Sequence, residues 1–151
     1  MTFMGIPIDG HINSFTQKIK SKGFTIAPAN KHYSNGRLFI GEFCGEKVLA
    51  FACYSKSKSV YCIEVHFHVR SEVENLQLYN DYIEAVRKKY PDGKEDWPYT
   101  ETSYSWSVNN GSIYIENRED YNGNKLRITY IDKANSEEME HLNQKLIMDD
   151  L

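Results

Sequence analysis

Residues 38–67 read LFIGEFCGEKVLAFACYSKSKSVYCIEVHF, and this stretch decides the fold class. Its β-branched and aromatic residues predict three strands, at Leu38–Cys44, Lys47–Tyr54 and Val60–Val69. The links between these strands hold only a few residues, too few for the crossover that parallel strands need. The three strands are therefore expected to be antiparallel neighbours in one sheet.

Helical patterns stand on both sides of this meander. Asp9 is a typical N-cap, apolar residues follow it at helical spacing, and Gly23 ends the predicted helix. A second helix is predicted over Glu72–Lys89, because Pro91 and Gly93 follow it as stop signals. Its predicted buried stripe consists of Leu76, Tyr79, Ile83 and Val86.

A second set of strand signals follows the second helix. Residues 104–132 read YSWSVNNGSIYIENREDYNGNKLRITYID, and their alternation predicts three more strands separated by Asn110-Gly111 and Asn122-Gly123. The stretch Lys94–Ser103 before them is polar and aromatic and is predicted to be a loop. Asn135 and Glu138 form the pattern of a capping pair, which predicts a closing helix over residues 135–150.

The order of these elements predicts an α+β fold in a single domain of residues 1–151. Two modules, each a helix followed by a three-stranded antiparallel meander, span about residues 9–70 and 72–132. Overlaying the meanders with one gap places Gly45 on Gly111. Residue identity is low and any two meanders share such patterning, so coincidence and duplication both account for the match. The matching helices favour duplication.

Composition argues against several classes of partner. Lys and Arg number 18 against 21 Asp and Glu, the formal charge is −3, and positive charge is not clustered, which disfavours nucleic-acid binding. No apolar run is long enough for a transmembrane helix, and Met1–Gly10 lacks the features of a signal peptide. We expect a cytoplasmic protein, or a periplasmic or envelope protein whose signal has been removed.

The last strand of the first meander separates two faces. Glu64, His66 and His68 alternate with apolar residues and share one face, and two imidazoles with a carboxylate suit zinc or iron. The solvent face of a meander also carries polar residues for no other reason. Cys44, Cys53 and Cys62 are not spaced as in a zinc motif. Cys53 shares its face with Leu49 and Phe51, so we expect it in the core, whereas Cys62 shares the face of Glu64.

The predicted loop carries a second candidate site, formed by Trp97 and Tyr99 around Pro98. Such aromatic side chains recognise sugars or protein partners, although aromatic residues at this kind of position also fill the edge of a core. No motif for a nucleophile, a catalytic acid–base pair or a phosphate loop is found in the sequence. We therefore assign no catalytic residue and expect no cofactor.

The amino end carries the segment Phe3-Met4-Gly5-Ile6-Pro7-Ile8-Asp9-Gly10, followed by Lys22-Gly23-Phe24 and Gly41-Glu42-Phe43. In these motifs the chain resembles a family of small uncharacterised proteins, mostly from gut anaerobic bacteria, which often carry a signal peptide or a lipoprotein signal. The resemblance implies a possible envelope location and assigns no activity to any residue. The order of helices and strands is also similar to that of β-lactamase inhibitor proteins, which act by binding other proteins.

Three functions follow as expectations. The first is a non-enzymatic binding module of the bacterial cell envelope, whose partner is a protein or another envelope component. The second is a small metal-dependent protein or enzyme centred on Glu64, His66 and His68. The third is a purely structural domain.

Overall fold

The computed structural model describes residues 1–28, 35–68, 70–96, 102–121 and 123–150. No helix within these ranges is long and apolar enough to cross a membrane. The elements of the described chain, in order, are β1 (Thr2–Phe3), β2 (Ile6–Pro7), α1 (Ile12–Ser21), β3 (Thr25–Ile26), β4 (Gly36–Phe43), β5 (Glu46–Tyr54), β6 (Val60–Phe67), α2 (Glu72–Lys89), β7 (Lys94–Asp96), β8 (Ser103–Val108), β9 (Gly111–Asp120), β10 (Gly123–Asp132) and α3 (Lys133–Asp150).

One antiparallel sheet of eight strands organises the molecule, in the order β3-β4-β5-β6-β10-β9-β8-β7. The predicted α+β fold with antiparallel strands and a C-terminal helix is confirmed. Each half of the sheet follows its own helix: α1 precedes β3–β6, and α2 precedes β7–β10. In both halves the first strand lies at the sheet edge and the last at the centre, where β6 pairs with β10.

Helices α1 and α2 pack on the same side of the sheet, which we call the core face. The rings of Phe15 on α1 and Phe39 on β4 lie 6.3 Å apart between centroids. On α2, Tyr82 lies 5.3 Å from Phe67 of β6. Alternate residues of each strand point to this side and are buried because the helices exclude water from them.

The amino-terminal motif forms a small hairpin that joins this core. Met4 and Gly5 connect β1 to β2 with φ angles of 51° and 78°, the left-handed conformations of a two-residue hairpin turn. Phe3 of this hairpin stacks on Phe43 at 5.5 Å and meets Phe24 edge-on at 6.4 Å. Phe3, Phe24 and Phe43 therefore meet in the core of the protein.

The structure corrects three predicted helix features. The N-cap of α1 is His11 and not Asp9, because its Nδ1 accepts a hydrogen bond from the backbone N–H of Asn13 at 3.1 Å. Helix α2 has the predicted bounds, and Tyr79, Ile83 and Val86 of its predicted stripe pack on the core. Asn75 is fully buried in place of Leu76, which is 50% exposed. Helix α3 begins earlier than predicted.

The earlier start of α3 is explained by a different capping residue. The carboxylate of Asp132 accepts a hydrogen bond from the backbone N–H of Asn135 at 3.3 Å, so Asp132 is the cap. The side chain of Asn135 instead donates to the carbonyl oxygen of Ile8 at 3.2 Å. The predicted pair of Asn135 and Glu138 is therefore wrong as the capping interaction.

Two strand predictions are also corrected. Lys94–Asp96, predicted as part of a loop, is a short edge strand that pairs with β8. Cys53 is buried as predicted, but it does not face the helices, because Val48, Ala50 and Ala52 occupy the core face of β5 and Cys53 lies directly opposite Cys62. The two thiols share one face and both are buried, at 9% and 6% exposure.

Candidate functional site

The face of the sheet opposite α1 and α2, which we call the outer face, carries the candidate site. Strand register aligns its side chains in rows that cross the sheet. The first row contains Ile40, Leu49, His66, Arg127, Glu116 and Ser103, one from each successive strand from β4 to β8.

The first row changes character at the centre of the sheet. Ile40 and Leu49 are directly opposite each other and remain 43% and 38% exposed, although both are large apolar residues. Beside Leu49 stands His66, and Arg127 follows on β10. An apolar surface therefore borders directly on a charged one.

The charged part of the row is a network centred on Arg127. Its Nε and Nη2 atoms donate to Oε2 of Glu116 at 2.9 and 2.5 Å, and its Nη1 atom lies 3.9 Å from Oε2 of Glu64. Arg118 donates to the other oxygen of Glu116 at 2.8 Å. These contacts fix the guanidinium of Arg127, since charge-assisted pairs of this kind are the stronger hydrogen bonds.

A recess of about 240 Å³ opens above this network. It is lined by His66, Glu116, Arg118, Lys125 and Arg127, so three permanent cations surround one carboxylate. With Glu64 beside Arg127 also counted, one positive charge remains, which suits one additional anionic group.

Glu64 stands at the junction of this network and the sheet centre. Its Oε2 atom lies 3.0 Å from Nε2 of His66, and this hydrogen bond lowers the pKa of the carboxyl. Burial opposes the shift, while the positive charge of Arg127 adds to it. Glu64 is therefore an ionised carboxylate at neutral pH.

Two thiols lie next to this carboxylate. Ligand atoms of Cys53, Cys62 and Glu64 all lie within 4.8 Å of one another. The hydrogen bond with Cys53, together with burial, raises the pKa of the Cys62 thiol. Tyr61 is the extra residue where the β5–β6 register shifts, and burial raises its pKa to about 12. Within the described ranges, Cys53, Cys62 and Glu64 form the group of three side chains that lie close enough to bind one metal ion together.

The predicted metal residues are only partly brought together. Glu64 and His66 share a hydrogen bond, whereas His68 is exposed beyond the end of β6 and joins neither of them in a three-ligand group of the described chain. Trp97 and Tyr99 lie outside the described residues.

Several site residues were missed from the sequence although a signal was present. Asp120 at the end of β9 pairs with Gly123 at the start of β10. Counting residue pairs away from this turn along both strands places Glu116 opposite Arg127. The pairing of Cys53 with Cys62 was not accessible in this way, because a register shift separates it from the β5–β6 turn.

Comparisons with protein-family models, with curated proteins and with solved structures give no match to this chain.

Proposed function

We propose that the chain is a non-enzymatic binding module that recognises a protein segment on the outer face of its sheet. The observation that carries this proposal is the first row, where exposed Ile40 and Leu49 border the cationic recess around Arg127. A segment with an apolar side chain next to a carboxylate matches both parts of this surface.

The edges of the sheet offer a partner much less than the face does. Strand β3 has two residues, and β7 has three, all charged and exposed. Short and charged edge strands give a poor template for the addition of another strand. Recognition by the face is therefore favoured over recognition by the edge.

The recess also contributes specificity. The guanidinium of Arg127 is held by two hydrogen bonds to Glu116, so an incoming carboxylate meets a cation whose position is already set. The apolar pair next to it requires a matching side chain at a fixed distance. A partner without the carboxylate would not contact the recess, and one without the apolar side chain would not contact Ile40 and Leu49.

An envelope location and an internal duplication belong to the same proposal. The resemblance of the amino-terminal motifs supports an envelope component as the partner. The identical order of elements in the two halves, a helix followed by four strands running from edge to centre, supports duplication. Duplicated halves would explain how one chain forms such a wide outer face.

The test replaces the apolar part of the row with charge. A variant with Ile40→Lys and Leu49→Lys is immobilised beside the wild type, and each is incubated with envelope and soluble fractions of the native host. Proteins retained by the wild type should be lost from the double variant. Its melting temperature should fall only slightly, because both side chains are part-exposed and two like charges directly opposite each other cost about 0.2–1 kcal/mol.

Val73→Lys is the matched control, because Val73 is 77% exposed on α2. It introduces the same charge away from the outer face and should retain every partner. If the double variant captures the same proteins as the wild type, or Val73→Lys loses them equally, the outer face is not the binding surface. A wild type that retains nothing above background would favour a purely structural domain.

A further inference from the structure

The side chains of Cys53, Cys62 and Glu64 meet on the outer face. Glu64 lies in the row next to that of His66, and the two cysteines lie in the row beyond Glu64. Cys53 and Cys62 are direct cross-strand partners, and Glu64 is the next residue of β6 on the same face. We propose that Cys53, Cys62 and Glu64 together bind one Zn²⁺ ion. This inference does not depend on a protein partner, although His66 and Arg127 lie both beside the three ligands and in the recess of the proposed binding surface.

The distances suit this ion. Zinc takes thiolate sulfur at about 2.3 Å and carboxylate oxygen at about 2.0–2.2 Å, so two sulfur ligands of a tetrahedral ion lie about 3.8 Å apart. The present ligand atoms are all within 4.8 Å of one another. Shifts of about 1 Å, within the reach of side-chain rotation, bring them to bonding positions.

The charges around the three ligands also balance. A Zn²⁺ ion bound by two thiolates and one carboxylate carries one net negative charge. The guanidinium groups of Arg127, 3.9 Å from Oε2 of Glu64, and of Arg118 together carry two positive charges, which offset Glu116 and the one negative charge of the loaded site. Burial of both cysteines, at 9% and 6% exposure, would otherwise make a net charge costly.

His66 supports the site without being a ligand. Its hydrogen bond to Oε2 of Glu64 orients the carboxylate and leaves the second oxygen to the ion. Partners of this kind fix the direction of a ligand and raise its affinity for the metal. Three protein ligands leave the fourth tetrahedral position to a water molecule.

Binding is a ligand exchange that needs no redox partner. When the ion enters, two sulfur–metal bonds and one oxygen–metal bond form, and two protons leave to solvent.

The test uses Co²⁺ as a spectroscopic substitute for zinc on the reduced full chain, without a His tag and under anaerobic conditions. Thiolate coordination should produce near-ultraviolet charge-transfer absorption that saturates at one equivalent and disappears when Zn²⁺ is added. Cys53→Ser and Cys62→Ser should each lower the charge-transfer intensity and weaken binding by at least about tenfold. Glu64→Gln should weaken binding by a similar factor while retaining the intensity of two thiolates.

Cys44→Ser is the matched control, because Cys44 is an exposed cysteine outside the cluster. It should bind Co²⁺ as the wild type does. A reduced wild type without charge-transfer absorption, or an absorption lost in Cys44→Ser, overturns the proposal. If a cysteine variant fails to fold, the alkylation rates of the wild type decide, followed for long enough to label the buried thiols without the ion. Zn²⁺ should lower the rates at which Cys53 and Cys62 react with iodoacetamide, and equal rates with and without the ion count against the site.

Discussion

Gly41 on β4 offers a sharp test of the core formed by the amino-terminal motifs. A Cβ atom added at this position would lie only 2.5 Å from the ring of Phe24, which is itself 2% exposed. Overpacking of this kind typically costs about 1–3 kcal/mol. Replacing a strand glycine also lowers the entropy of the unfolded chain, which offsets about 0.5–1 kcal/mol. The two effects leave a range of about 0–2.5 kcal/mol, and the approach of 2.5 Å favours its upper half, so we expect Gly41→Ala to lower the free energy of unfolding by about 1–2.5 kcal/mol.

Urea unfolding, followed by circular dichroism, measures this change. The double variant Gly41→Ala with Phe24→Leu tests the cause, because the smaller side chain makes room for the new methyl group. Its loss of stability should be smaller than the sum of the two single losses by at least about 0.5 kcal/mol. A Gly41→Ala protein as stable as the wild type, or strictly additive effects, would refute the proposed contact.

Two further predictions concern single groups. The hydroxyl of buried Tyr79 has no hydrogen-bond partner among the described residues, so Tyr79→Phe should be at least as stable as the wild type at pH 7. Burial raises the pKa of Tyr79 to about 12, from about 10 in the unfolded chain, because the folded protein disfavours the ionised side chain. Ionisation of Tyr79 therefore costs no stability below pH 10, and stability is lost as the pH rises from 10 through 12. The variant should lose less stability than the wild type over that range, and an equal loss would contradict the assignment. With a thiol reagent under native conditions, Cys44 should react faster than Cys53 and Cys62 because it is exposed, although burial raises the pKa of its thiol. Equal rates at all three would contradict the observed burial.

The sequence predicts the long elements well, because each carries its own periodicity. Helix α2 has the predicted bounds, and the six long strands fall where alternation and turn residues predict them. The edge strands β3 and β7 were missed because strands of two and three residues carry no periodic signal. They exist only because β4 and β8 offer them a partner.

The faces of β5 were assigned wrongly for a physical reason. Leu49, Phe51 and Cys53 are larger and more apolar than Ala50 and Ala52, so hydrophobicity alone favours the wrong side. Both faces of this strand are apolar, and alternation then gives no reliable direction. The candidate cluster of Cys53 with Cys62 depends on that direction, so it was not predictable from the sequence.

The two halves of the sheet carry different chemistry at corresponding positions. The turns close at Phe43 with Glu46 in one half and at Val108 with Gly111 in the other. Cys53 is the seventh residue after Glu46, and Arg118 is the seventh after Gly111. Glu46, and not Gly45 as in the overlay of the sequences, therefore corresponds to Gly111, and under the proposed duplication Cys53 and Arg118 are equivalent positions.

Their partners correspond as well, because Cys53 pairs with Cys62 as Arg118 pairs with Lys125. The pair that would hold zinc in the first half is thus replaced by two cations of the recess in the second. Arg118 and Lys125 carry the same charge and are direct cross-strand partners, so they repel each other. If the halves arose by duplication, they have diverged, since one would hold a metal ion and the other an anion. Because only the first half has the two cysteines, we expect one zinc ion per chain.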